Sequence, residues 1–179
     1  MKRALVVIDV QNVYETGELR IVHPPFEASL RNISRAMDVA SENGIPIIVV
    51  VHVGPRGCSE ISGTGPWGLH PSIANREREL LLSKTLPSAF VGTELQEWLH
   101  VRRIDCLTLV GYMTHNCIDS TARDAAQRGY SVEVLCDATG TLPYANAAGR
   151  VDARTLHECS LTVLHARFSA VVSTECWVE

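Results

Sequence analysis

Three residues with the chemistry for nucleophilic catalysis follow predicted buried strands at well-separated points of the chain. Asp9 ends the first apolar run, Lys84 ends the third, and Cys117 comes shortly after the fourth. Parallel strands direct their carboxyl ends to one edge of a sheet, so we expect these side chains to converge there. A thiol that attacks a substrate needs a base and a group that organises charge around it. The carboxylate and the lysine could supply both, which indicates catalysis by cysteine.

Cys117 lies in the first turn of a predicted helix. The preceding apolar strand ends at a glycine, and Thr114 is suited to cap a helix over 115–128. Backbone N–H groups at the amino end of a helix stabilise a thiolate, and Lys84 would favour it further. His115 precedes Cys117 by two positions, where helical side chains point apart, so we do not expect a direct histidine–cysteine dyad.

The remaining chain alternates between apolar runs and amphipathic segments, which predicts an α/β protein with a mostly parallel sheet. Strands are predicted over 3–10, 45–53, 79–84, 104–111, 130–135 and 170–173, and helices over 27–43, 93–101, 115–128 and 145–166. The stretch 54–76 is rich in Gly, Pro and Ser, and a loop of this length is expected to carry function or a subunit contact. No linker or repeat divides the chain, so we predict one domain over residues 1–179.

Composition argues against several classes of protein. The formal net charge is -4 and no basic run occurs, so nucleic-acid binding is not expected. No apolar run approaches the roughly 20 residues of a membrane span, and the amino-terminal apolar run is too short for a signal peptide. Six cysteines without a CxxC pair then indicate free thiols in the cytoplasm.

Cofactor motifs are missing from the sequence. The segment after the first strand has no glycine before Tyr14, which argues against dinucleotide binding. The seven histidines show no ligand-spaced cluster, so we expect no metal site. His52 ends a predicted strand, but Val50 stands two positions before it, where an Asp-x-His metal pair would need an acid. His157 and His165 lie on a predicted helix and are expected to face solvent or an interface.

Short motifs along nearly the whole chain resemble, in order, those of the isochorismatase-like cysteine hydrolase family. These motifs are Asp9 with Gln11-Asn12, Lys84 with Ser88-Ala89-Phe90 and Thr93-x-Leu95, Gly111-x-x-Thr114-x-x-Cys117, Thr121-Ala-Arg-Asp-Ala125, Gly129-Tyr130, Cys136-Asp137-Ala138 and Phe168 to Val172 with Thr174. The resemblance implies a three-layer α/β/α sandwich around a six-stranded parallel sheet. It also implies the triad Asp9, Lys84 and Cys117, and a homodimer or homotetramer.

The resemblance further implies a cis peptide between Tyr112 and Met113. This would bring the Met113 N–H beside the Cys117 N–H to form an oxyanion hole. We predict pocket walls at Gln11, Tyr14, Trp67, Tyr112 and Asn116, for which simple packing or a subunit contact is an alternative.

Two departures from the family narrow the expected activity. Nicotinamidases of the family carry an Asp-x-His metal pair, and Val50 replaces its acid here. True isochorismatases lack the nucleophilic cysteine, so Cys117 favours cleavage of an amide, ureido or lactam C–N bond in a small molecule. Three alternatives remain: isochorismatase-type hydrolysis of another bond, a non-catalytic interaction protein, and a thiol-redox protein. The last would use Cys106, which a strand of about 3.3 Å per residue holds some 15 Å or more from Cys117.

Overall fold

The computed structural model describes residues 1–54 and 65–178. Its strands are β1 (Arg3–Ile8), β2 (Ile47–His52), β3 (Leu80–Lys84), β4 (Cys106–Tyr112), β5 (Ser131–Gly140), β6 (Tyr144–Asn146), β7 (Gly149–Val151) and β8 (Ala170–Val172). Six of them form a parallel sheet in the order β3-β2-β1-β4-β5-β8. The predicted six-stranded α/β architecture is confirmed. The strands β6 and β7 pair separately as an antiparallel hairpin.

Helices connect the strands of the sheet. They are α1 (Val13–Thr16), α2 (Phe26–Glu42), α3 (Pro71–Ala74), α4 (Leu95–Val101), α5 (Asp119–Gln127), α6 (Ala153–Arg167) and α7 (Thr174–Val178), with a π-helical turn over Thr114–Ile118 before α5. None of the helices described is both long and apolar enough to cross a membrane.

The side chains of β1 show why the sheet lies between two helical layers. Val6 and Ile8 belong to one apolar cluster, which also contains Leu99 of α4. Val7, between them, belongs to a second cluster that includes Met37 of α2. Successive residues of a strand point to opposite faces, so an uninterrupted apolar strand needs cover on both sides.

The strand order places a crevice at the carboxyl ends of β1 and β4. The strands β2 and β3, which follow β1 in the chain, lie on one side of β1 within the sheet, and the later strands β4 and β5 lie on its other side. Such a reversal leaves a gap between the connections, where ligands bind in α/β folds. Gly111 of β4 pairs with Ile8 at this point. Its φ is +110°, and a Cβ there would lie 1.9 Å from the Ile8 carbonyl oxygen, so only glycine permits this close approach.

The prediction of a helix over 145–166 is wrong in its first part. The chain there forms the hairpin β6–β7, and α6 starts only after Asp152, whose carboxylate accepts a hydrogen bond from Thr155 N. In the hairpin turn Gly149 has a φ of +148°. The capping Asp152 is the local signal that the periodicity of the apolar residues obscured. The predicted strand 130–135 was also too short, since β5 continues to Gly140.

Thr114 is not the helix cap that the sequence predicts. The residue preceding the π-helical turn is Met113, whose carbonyl accepts hydrogen bonds from Asn116 N and Ile118 N. The Thr114 hydroxyl is used elsewhere: it lies 2.9 Å from Nδ1 of His157. His157 is therefore buried against the turn, contrary to the expectation that it faces solvent or an interface.

The predicted long loop over 54–76 contains the short helix α3. Residues 55–64, including Cys58, lie outside the described residues. Two short helices are not among those predicted from the sequence: α1, which follows β1, and α7, which follows β8.

Candidate active site

The buried ammonium group of Lys84 contacts side chains from three separate segments of the fold. Lys84 is the last residue of β3, and its side chain is fully shielded from solvent. Its Nζ lies 2.8 Å from Asp9 Oδ2, 3.2 Å from Cys117 Sγ and 3.1 Å from His52 Nδ1. An ammonium group has three N–H donors, so each donor has one acceptor. The structure thus brings Asp9, Lys84 and Cys117 together, and adds His52.

The sheet register and one unusual backbone conformation produce this convergence. His52 and Lys84 are paired neighbours on β2 and β3, so their side chains leave the sheet at the same level. Asp9 follows β1 directly and has a φ of +53°, in the left-handed region that is unfavourable for a residue with a Cβ. Residues held in this region cluster at functional sites because the surrounding structure must enforce them.

Cys117 reaches the same point from the opposite side of the crevice. It lies in the π-helical turn and is 3% exposed. Such turns are rare and occur frequently at functional sites. The peptide between Tyr112 and Met113 is cis, as the family resemblance implied. Met113 and Cys117 are the residues expected to form the oxyanion hole. Met113 directly precedes the π-helical turn, and Cys117 lies within it.

The resting state of Cys117 differs from the expected thiolate. Burial and, to a lesser extent, the charge of Asp9 together raise the pKa of the thiol to about 12, and Lys84 only partly opposes them. At neutral pH Cys117 is thus protonated. Burial also raises the pKa of Asp9, against the opposing influence of Lys84. A carboxylate with a raised pKa is a better proton acceptor, which suits a base that removes the thiol proton during attack.

The same residues do not fit a metal ion well. Asp9, His52 and Cys117 bring one ligand atom each to within 4.8 Å of one another. However, the Lys84 ammonium already contacts all three groups, and a second positive charge there would be repelled. Val50, which occupies the position of the acid in a metal-binding Asp-x-His pair, lies buried in the apolar core.

Gln11, predicted to line the pocket, is fully buried and bonded to backbone. Its Nε2 donates to the carbonyl groups of His52 and Trp67, and its Oε1 accepts from His52 N at 3.0 Å. The side chain therefore joins the end of β2 to the segment around Trp67. Gln11 positions His52 rather than presenting free polar atoms.

The two predicted tyrosines occupy different places. The Tyr112 hydroxyl lies 2.8 Å from Ser29 Oγ, and its ring packs on Phe26, so it is part of the core beside α2. Tyr14 is 3% exposed and, unlike Tyr112, is near enough to Asp9 and Cys117 to be influenced by their charges. Burial and the charges of Asp9 and Cys117 raise the pKa of its phenol.

Trp67 and Asn116 are both half-buried at the site. The Trp67 ring lies 6.0 Å from the His52 ring, measured between centroids. Asn116 belongs to the π-helical turn, next to Cys117. Their contact with a substrate stays a prediction.

Sequence reasoning overlooked Tyr144 of the hairpin and treated His52 only as a failed metal ligand. Burial raises the pKa of the Tyr144 phenol, and a negative charge on the nearby Cys117 would raise it further. The Tyr144 ring lies 5.0 Å from that of His115, measured between centroids. His115 in turn places Nδ1 2.6 Å from Thr141 Oγ1. The position of His52 at the end of β2, next to Lys84 in register, was the available signal. No local signal identified Tyr144, because the hairpin itself was missed.

Comparisons with known proteins agree with this architecture. The model of the Isochorismatase domain family matches residues 3–176. A secreted isochorismatase effector of Verticillium dahliae is 36% identical over 172 residues, covering 96% of this chain and 87% of that protein. A maleamate amidohydrolase of Pseudomonas putida is 26% identical over 154 residues, covering 78% of this chain and 72% of that enzyme.

A solved structure gives the same result for the fold. The crystal structure of a candidate isochorismatase from Burkholderia xenovorans LB400 has a TM-score of 0.94 and 48% sequence identity, over 99% of this chain and 86% of that chain. Together with the family model, which spans nearly every residue, this likeness shows that the chain belongs to the isochorismatase family of hydrolases.

Proposed function

We propose that this protein is a cysteine hydrolase that cleaves an amide-like C–N bond of a small molecule through a thioester on Cys117. The observation that carries the proposal is the buried contact of Lys84 Nζ with Asp9 Oδ2 at 2.8 Å and Cys117 Sγ at 3.2 Å. It unites a nucleophile, a base and a cation in one shielded place. The similarity to a maleamate amidohydrolase supports the choice of a C–N bond.

Acylation begins from the neutral thiol. Asp9 accepts the proton of Cys117 while the sulfur forms a bond to the substrate carbonyl carbon, whose oxygen takes up the electron pair of the C=O bond. Lys84 stabilises the negative charge on sulfur during the transfer. The N–H groups of Met113 and Cys117 donate to the oxyanion, a contribution of about 3 kcal/mol for one donor in other enzymes.

Collapse of the tetrahedral intermediate breaks the C–N bond. The protonated Asp9 returns its proton to the leaving nitrogen, so that ammonia or an amine departs and a thioester remains. Asp9, again a carboxylate, then takes a proton from water as that water attacks the thioester. Collapse of this second tetrahedral intermediate breaks the C–S bond, and Asp9 returns the proton to the departing sulfur. The products are a carboxylic acid and the regenerated thiol.

Amide hydrolysis is tested by incubating the protein with a panel of amic acids, ureido acids and lactams, and measuring ammonia or amine release. Isochorismate is included as a substrate of the alternative type. We expect release from at least one amide, its loss in Cys117→Ala, and a mass increase on the Cys117 peptide after an acid quench. Cys159→Ala, at an exposed thiol on α6, is the matched control. Turnover that survives in Cys117→Ala, or turnover of isochorismate alone, would contradict the proposal.

A further inference from the structure

Lys84 has one partner more than the proposed triad requires. His52 Nδ1 lies 3.1 Å from Lys84 Nζ, and the two residues are neighbours in the register of β2 and β3. An ammonium group has donors and no acceptor, so Nδ1 of His52 must be the acceptor of this hydrogen bond.

This contact determines which ring nitrogen of His52 carries the proton. A neutral imidazole has one N–H and one bare nitrogen, and the bare nitrogen here is Nδ1. Burial lowers the pKa of His52, and the charge of Lys84 lowers it further, so the ring is neutral at pH 7. The single proton is therefore on Nε2, which makes this atom a hydrogen-bond donor.

The His52 ring lies close to the reactive thiol. One ring nitrogen of His52, one carboxylate oxygen of Asp9 and Cys117 Sγ all lie within 4.8 Å of one another, and only one carbon separates the two ring nitrogens. The ring is half-buried, with Trp67 as its aromatic neighbour. Across residues 1–54 and 65–178, no group accepts a hydrogen bond from Nε2. A partly shielded donor that has no acceptor in the described part of the chain is suited to recognise a ligand.

We infer that His52 determines substrate specificity by donating its Nε2–H to a carboxylate or a second carbonyl group that the substrate carries near the scissile bond. This inference rests on the proposed function and adds the substrate class, which is small amides bearing such an acceptor. Lys84 has a double role: it stabilises the sulfur and keeps the His52 proton on the substrate side. Gln11 supports the arrangement, since its amide holds the backbone of His52 on both sides.

The charges of the site favour the same class of substrate. Asp9 and Lys84 form an ion pair, and Cys117 is a neutral thiol at rest. The shielded centre therefore carries no excess negative charge that would repel a carboxylate. A hydrogen bond to a charged acceptor is worth more than one to a neutral acceptor, so the anionic members of the class gain most from His52.

Alkylation of Cys117 tests this recognition without a known substrate. Iodoacetate and iodoacetamide differ in the carboxylate that iodoacetate carries, and peptide mass spectrometry measures the rate of each at Cys117. We expect the ratio of the iodoacetate rate to the iodoacetamide rate to fall about five- to tenfold in His52→Phe. Any change in thiol reactivity acts on both reagents and cancels in the ratio.

Two further variants control the measurement. His100→Phe replaces an exposed histidine at the end of α4 and should leave the ratio unchanged. His52→Gln retains an N–H donor and should recover part of the ratio. An unchanged ratio in His52→Phe would overturn the inference.

Nitrogen-15 NMR of the histidine rings provides a test that does not depend on alkylation. We expect His52 at pH 7 to show a protonated Nε2 and a bare Nδ1, and a proton on Nδ1 would overturn the inference. The outcome is separable from that of the proposed function. If amides are hydrolysed but the ratio of alkylation rates is unchanged in His52→Phe, or the His52 ring carries its proton on Nδ1, only the inference fails. If no amide is hydrolysed but the alkylation ratio falls in His52→Phe and the His52 proton is on Nε2, the hydrolase proposal fails and the recognition of an acceptor by His52 stands.

Discussion

Two buried cysteines at opposite ends of β4 have similar surroundings, but only one of them has the proposed role of nucleophile. Cys106 begins the strand, and Cys117 follows its carboxyl end; they are 0% and 3% exposed. Each lies beside a cation–carboxylate pair, Arg3–Glu133 in the first case and Lys84–Asp9 in the second. Burial is the largest cause that raises the pKa of both thiols.

The two carboxylates distinguish these regions. Glu133 accepts two hydrogen bonds from Arg3, of 2.9 and 2.7 Å, and further bonds from Thr108 and Trp177. Burial alone would raise its pKa, but these donors lower it. Asp9 has the Lys84 ammonium at 2.8 Å and no hydroxyl, indole or guanidinium donor within the described residues. A carboxylate that accepts four hydrogen bonds, as Glu133 does, is a structural support, whereas a buried one with a single cationic partner can take a proton.

Replacing each cysteine should give the largest contrast. On an amide identified by the release assay, Cys117→Ser should lower kcat/KM on the order of 10³-fold or more, because the hydroxyl is a poor nucleophile in this site. Cys106→Ser should change it by less than about threefold. Circular dichroism checks that both variants are folded. If Cys106→Ser is folded and as inactive as Cys117→Ser, the assignment of Cys117 rather than Cys106 as the nucleophile is contradicted.

Asp9→Asn should separate turnover from thiol reactivity. Loss of the base that also protonates the leaving nitrogen should lower kcat by about 10²- to 10⁴-fold. The negative charge of Asp9 raises the pKa of Cys117, so the same substitution should lower that pKa and speed alkylation by iodoacetamide at pH 7.5. A quench-flow or discontinuous assay and peptide mass spectrometry measure the two quantities. Alkylation that slows together with turnover would show that Asp9 does not hold the thiol protonated.

The pH profile of alkylation tests the resting state of Cys117 in the unmodified protein. Because burial raises the pKa of this thiol to about 12, the thiolate fraction should increase roughly tenfold per pH unit between pH 7 and 10. The rate at Cys117 should rise in parallel across the whole range. A plateau below pH 9 would mean that Lys84 outweighs burial, and that the thiolate is the resting form.

Glu133→Gln should have the smallest effect on activity and a measurable effect on stability. Removing a carboxylate that holds Arg3, Thr108 and Trp177 should lower the free energy of unfolding by about 1–3 kcal/mol, measured by urea denaturation. The pKa of Glu133 is lower in the folded protein than in the unfolded chain. Its contribution to the free energy of unfolding is therefore fully present above the unfolded-state pKa and is lost as the pH falls through the folded-state pKa. The variant should therefore lose less stability than the native protein below about pH 4.5. Equal acid sensitivity would contradict this role.

Much of the site could be predicted from sequence because it depends on strand ends. Asp9 and Lys84 each stand where an apolar run stops, and parallel strands bring such positions to one edge. His52 met the same criterion, but it was assessed only as a metal ligand. Tyr144 could not be found in this way, since the hairpin and the helix α6 compete for the same stretch and only Asp152 marks the boundary.

Local pattern in the sequence thus determined the α/β class, the parallel sheet and the convergence of Asp9, Lys84 and Cys117, because these depend on periodicity and on residue order. The tertiary structure alone decided the protonation state of Cys117, the partnership of His52 with Lys84, and the difference between Asp9 and Glu133. Each of these depends on how far water is excluded and on which donors arrive from strands distant in the chain. The pattern of residues along the chain does not specify these effects of burial and charge, because they arise only when distant segments pack together.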